Sequence, residues 1–101
     1  MTTSAAETDA LARAVADAVT ADPAVARLDG GVYGAVLTYL PGEKLVGVRV
    51  ADRVEVAVVL HLGPPIPAVV ERLRARVARI VGDRPVDLTV SDVVPAQVGL
   101  L

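Results

Sequence analysis

Residues 54–82, VEVAVVLHLGPPIPAVVERLRARVARIVG, constrain this chain more than any other stretch. An alternating apolar run ends at Gly63, two prolines bracket Ile66, and a helical pattern starts at once. Gly63-Pro64-Pro65 turns the chain. Pro67 biases Ile66 away from helical space and is itself suited to the first helical position, where its missing N–H would have had no partner. From there to Val81, Val70, Leu73, Val77, Ile80 and Val81 recur at helical spacing, with Val69 at the edge of that face. Gly82 stops the helix. Residues 86–94 then alternate through Val86, Leu88 and Val90 as a closing strand. A strand, a helix and a second strand in this order form a right-handed crossover if the two strands are parallel in one sheet.

Upstream lies a hairpin. In 45–50, Val46, Val48 and Val50 fall on one face; in 54–62, Val54, Val56, Val58, Leu60 and Leu62 do. Both faces meet the same core only if paired residue numbers sum to an even value. The three-residue loop Ala51-Asp52-Arg53 satisfies this and a two-residue loop does not. The register then sets Arg49 opposite Glu55, a favourable cross-strand pair.

The first segment reads as a helix. Ser4-Ala-Ala-Glu7 has the form of a capping box, and Leu11, Ala14, Val15, Ala18 and Val19 share one face to about Thr20. Asp9, Arg13 and Asp17 stand four apart on the opposite face, suited to exposed ion pairs. Asp22-Pro23 ends the helix. Residues 24–28 form a short strand closed by Asp29-Gly30-Gly31. Residues 32–40 fit a strand, a loop or a helical turn; they hold Tyr33 and Tyr39, the only aromatics. Pro41-Gly42 is a turn.

The expected fold is therefore α/β of the α+β kind, a two-layer sandwich. Two helices pack on one face of a mixed three- to four-stranded sheet, in the order α-β-(β)-β-β-α-β. Residues 1–95 form one domain and 96–101, with Gly99, a loose tail. A chain of 101 residues with 53% hydrophobic and only 2% aromatic content must build its core from Val, Leu, Ile and Ala.

Several functional classes lack residues. The chain has no cysteine, hence no disulfide, thiolate nucleophile or zinc–cysteine site. The acids are scattered singly, so no metal ligand set and no acid–base pair is expected. His61, the single imidazole, shares a strand face with Glu55, but six residues along a strand put them about 20 Å apart. No catalytic residue, cofactor or metal is assigned, and the chain is not expected to be an enzyme. A net charge of −2 weighs against nucleic-acid binding. Gly31-Val-Tyr-Gly34 matches the GxxG form of KH domains, yet it follows a strand and an aspartate and contains no basic residue. No apolar run spans a bilayer, and residues 1–20 lack the pattern of a signal peptide.

What remains are surfaces. Arg72, Arg76 and Arg79 form a stripe on the far face of the second helix, either a solvated face or a docking strip for an acidic partner or anionic headgroups. The outer sheet face carries Ala57, Val59 and His61 between Arg49 and Glu55; it is either a contact surface or covered by residues 32–40. Val59, His61, Arg72, Arg76, Arg79, Tyr33 and Tyr39 are the candidate partner residues.

The ordered series TYLPGEKLVGVRV (38–50), VEVAVVLHLGPPIPAVVERLRARV (54–77) and PVDLTVSDV (85–93) resembles the alkaline shock protein family of Gram-positive bacteria, the envelope stress response proteins. A Val/Leu segment ending in Gly-Gly (25–31) and the G-x-P-I-P-x-V match at Gly63, Pro65, Ile66, Pro67 and Val69 carry the likeness, which covers roughly residues 8–94. The TYLPG segment resembles the short actinobacterial type. Leu62 stands where an aromatic often precedes the glycine, and Ala24 where a glycine often stands. The resemblance implies a non-enzymatic cytoplasmic protein of cell-envelope homeostasis. It would act through protein–protein contacts, with itself or with a small membrane-anchor protein that holds it at the membrane. The alternatives are a small regulatory or oligomerisation domain that binds a metabolite, and a KH-like RNA binder.

Overall fold

A computed structural model describes residues 4–31 and 33–95. Its elements are α1 (Ala5–Thr20), β1 (Val25–Leu28), β2 (Leu37–Leu40), β3 (Glu43–Val46), β4 (Val48–Val50), β5 (Val54–His61), α2 (Ile66–Val81) and β6 (Val86–Val94). Two helices lie on one face of a mixed sheet, as the sequence pattern requires. Val32 of the ambiguous 32–40 segment and the tail 96–101 lie outside the described residues.

β5 organises the sheet. β6 runs parallel to it along one edge, and β1 and β4 share the other edge end to end, both antiparallel. The β4–β5 register is Val48↔Val56, Arg49↔Glu55 and Val50↔Val54, the one set by the three-residue loop, and Arg49 Nη1 donates to Glu55 Oε2 at 2.8 Å. Val54, Val56, Val58 and Leu60 point into the core with Val15 and Val19 of α1 and Val69, Leu73 and Val77 of α2. Leu62 does not join them: β5 ends at His61 and Leu62 is 63% exposed.

The segment read as one strand over 45–50 is divided at Gly47, whose φ is +96°. Its N–H donates to Val36 O, closing a β2–β3 ribbon, while its carbonyl accepts from Ala57 N in the main sheet. The chain thus leaves one ladder and joins another within a single residue. The positive φ also breaks the side-chain alternation. Leu45 packs against the core, and Val46, expected inside, is 38% exposed. Only glycine fits here: a Cβ would stand 2.6 Å from Leu28 Cβ and 3.0 Å from Asp29 N.

Both helices begin and end close to their sequence signals, with faces slightly rotated. Ser4 Oγ accepts from Glu7 N at 3.1 Å, one half of the capping box. The buried face of α1 is Ala12, Val15, Ala16 and Val19; Ala14 is exposed, and Leu11 and Ala18 sit at the margin. Arg13 pairs with Glu43 of β3 at 2.6 Å instead of with Asp9 or Asp17. α2 starts at Ile66 with Pro65 as its cap, one residue before the start expected from Pro67. Val69, expected at the edge, is fully buried, while Val70 and Ile80 are only partly so. Gly82, at φ +71°, ends the helix.

Candidate interaction surfaces

The candidate residues fall on three separate surfaces. The outer sheet face is built from register partners, which share a face. Arg49, Glu55 and Asp87 form one row, Ala57 and Thr89 the next, then Arg27, Val59 and Asp92, and last His61 and Val94. Charged side chains border a narrow apolar strip. Val59 is 1% exposed and Ala57 is fully buried, so neither is open to a partner, against the expectation for Val59. The 37–40 part of the ambiguous segment is β2, packed against β3, β4 and α1. His61 is half-buried; its Nδ1 is shielded and has no hydrogen-bond partner, and the same holds for Ser91 Oγ at a bulge in β6.

The arginine stripe divides. Asp22, just past the end of α1, is the one buried charged residue among those described, its side chain 1% exposed. Arg72 grips it with Nε and Nη2 at 2.8 and 2.9 Å, and Ala24 N donates to the same carboxylate at 2.9 Å. Arg76 lies 3.9 Å from Asp22 Oδ2 and reaches Ala18 O at 3.5 Å. Arg72 and Arg76 therefore clamp the end of α1 to α2 and do not form a free docking strip; Arg79 is exposed and stands apart from this clamp. The Arg72 hydrogen bonds hold the Asp22 carboxyl below the usual carboxylate range. Burial opposes this, and the Ala24 amide and the charges of Arg72 and Arg76 add to it. In the sequence, Asp22-Pro23 reads only as a helix stop. A short acid between two elements carries no signal of which distant arginine will meet it.

The β2–β3 ribbon carries one part of the exposed apolar surface, Tyr39 and Val46; Leu62 and Ile66 are exposed at the β5–α2 junction. The ribbon's register is Leu37↔Val46, Thr38↔Leu45, Tyr39↔Lys44 and Leu40↔Glu43. Leu40 and Leu45 turn inward, Thr38 Oγ1 donates to Val48 O at 2.6 Å, and Glu43 meets Arg13. Leu37, Tyr39, Lys44 and Val46 share the outward face. Tyr39 is 75% exposed. Gly30, in the loop before β2, lies near the ribbon: its carbonyl accepts from Val36 N, and a Cβ at Gly30 would stand 3.6 Å from Val46 Cγ1. That loop presents Tyr33, 93% exposed. Both aromatic residues are thus on the surface, and Tyr39 sits beside the chain's one lysine. Both tyrosines are read from the sequence; the ribbon that displays Tyr39 depends on the kink at Gly47.

Among the described residues, no group of three or more His, Asp or Glu side chains could hold a metal ion, and no helix is long and apolar enough to cross a membrane. Comparison with family models, with curated proteins and with solved structures finds no match for this chain.

Proposed function

We propose that this chain is a non-catalytic protein of cell-envelope stress response that acts through protein–protein contacts, and that the outward face of the β2–β3 ribbon is its contact surface. The observation that carries the reading is the exposure of Tyr39 on the ribbon and of Tyr33 in the loop that precedes it. A domain with two aromatic residues gains most by burying them; here both are left outside. Exposed tyrosines bring a large, stiff contact area with a polar tip and are enriched among the residues that dominate binding energy. The apolar cluster is local and rimmed by Lys44, the form of a contact patch. The envelope role is supported by the likeness of the hairpin–helix–strand series to the alkaline shock family. On this reading the partner is a second copy or a small membrane-anchor protein, and the chain is held at the membrane through that partner.

The test is affinity capture from the native host, with and without detergent, by the wild type and by the Tyr33→Ala/Tyr39→Ala variant. The reading expects a membrane protein or further copies of the chain to be retained by the wild type and lost by a variant with unchanged circular dichroism. Recovery of neither, or equal recovery by both forms, refutes it.

A further inference from the structure

Among the described residues no strand pairs with the outer edge of β6, and we infer that two copies of this chain join there, antiparallel, about a twofold axis at Leu88, to make one continuous sheet. This inference uses a surface other than the ribbon and does not depend on the ribbon's role.

The direction of the β6 backbone groups follows from its pairing with β5. Val54 N donates to Pro85 O, and Val54 is in register with Val86. In a parallel ladder this turns the N–H and C=O groups of Asp87 and Thr89 toward β5. Those of Val86, Leu88 and Val90 then face away, with no bond to any described residue. Beyond them the edge is blunted. The register slips between Val58 and Val59, leaving Ser91 as a bulge, and Val93 N is taken by Asp92 Oδ1 at 2.8 Å. The open stretch is 86–90, free of bulges and unpaired among the described residues, the kind of edge that templates another strand.

That stretch is self-complementary in one register. A twofold at Leu88 pairs Val86 with Val90 of the second copy and Leu88 with Leu88. All of these have outward backbone groups, so each pair exchanges both N–H···O=C bonds. The side chains of these residues are partly buried on the helix side, packed at the margin of the core. Pairing covers their remaining surface in an unbroken apolar row. On the other face, Asp87, held by Arg53 at 2.9 Å, comes opposite Thr89 of the second copy. Neighbouring registers are worse. A twofold at Asp87 sets two carboxylates face to face, and one at Thr89 runs the pairing into the bulge.

Thr89 is exposed and on the outer face, so it can be changed without touching the core. Thr89→Asp places a carboxylate against the second copy's Asp87 twice per dimer, and Thr89→Arg places a cation there. Each change should shift the dimer dissociation constant by roughly two- to thirtyfold, the first upward and the second downward. Sedimentation velocity of the full chain over a wide concentration range reads this shift. Amide hydrogen exchange gives a second readout: protection at Val86, Leu88 and Val90 should rise with concentration. A monomer at every concentration overturns the inference, as does a dimer indifferent to both Thr89 variants. Concentration-dependent protection on 37–46 instead of 86–90 also overturns it while leaving the proposed ribbon contact standing.

Discussion

Replacing Gly47 with alanine should damage this fold far more than the same change at Gly42. Both glycines have positive φ, +96° and +76°, so both variants carry the strain of an L-residue in that region, of order 1–3 kcal/mol. A Cβ at Gly42 meets nothing within 4 Å. At Gly47 it meets Leu28 Cβ at 2.6 Å, Asp29 N at 3.0 Å and Ala57 O at 3.2 Å, two of them backbone atoms and the third a Cβ that no rotamer moves. Relief requires β1 and β4 to part where they meet along β5. That weakens the bonds Asp29 N→Ala57 O and Ala57 N→Gly47 O, about 1 kcal/mol each, and adds overpacking strain of about 1–3 kcal/mol. Gly47→Ala should therefore cost about 4–8 kcal/mol, a large part of the total stability of a domain this size. At about 5 °C per kcal/mol, the melting temperature falls by about 20–40 °C, against about 5–15 °C for Gly42→Ala. Thermal and urea unfolding followed by far-ultraviolet circular dichroism measure both. If Gly47→Ala melts within a few degrees of Gly42→Ala, the crowded junction of β1, β4 and β5 is wrong.

The Asp22 clamp should make stability depend on acid. Its carboxyl titrates lower folded than unfolded, so its contribution is present above the unfolded value of about 3.9 and is lost as pH falls through the folded value. Asp22→Asn should be about 1–3 kcal/mol less stable at neutral pH, with the gap closing toward acid pH; parallel urea midpoints across a pH series check this, and a constant gap refutes it. Leu73, fully buried between the layers, should lose about 2–5 kcal/mol as alanine, measured from the same midpoints, and a loss below that range would mean that α2 does not seat there.

Much of the architecture was legible because it depends on local pattern. The parity of alternating valines set the 48–50/54–56 register and the Arg49–Glu55 pair. The Gly63-to-Pro67 turn and Gly82 set the limits of α2 to within a residue. These signals work because side-chain direction follows chain position with a fixed period. The interaction surfaces were less legible. Val59 reads as an outward residue, and it lies on the outer face, yet it is buried there. Arg72 and Arg76 read as a free stripe because nothing in their own helix points to an acid fifty residues away.

The sequence alone, then, determined the element types, the apolar faces and the hairpin register, since each is set by residues a few positions apart. The tertiary structure decided that Gly47 hands the chain from one ladder to another, that Asp22 is buried against Arg72, that Tyr39 stands on an exposed ribbon, and that β6 has an outer edge unpaired among the described residues. Those outcomes depend on which distant segments meet, and a contact between distant segments leaves no period in the chain for pattern to reveal.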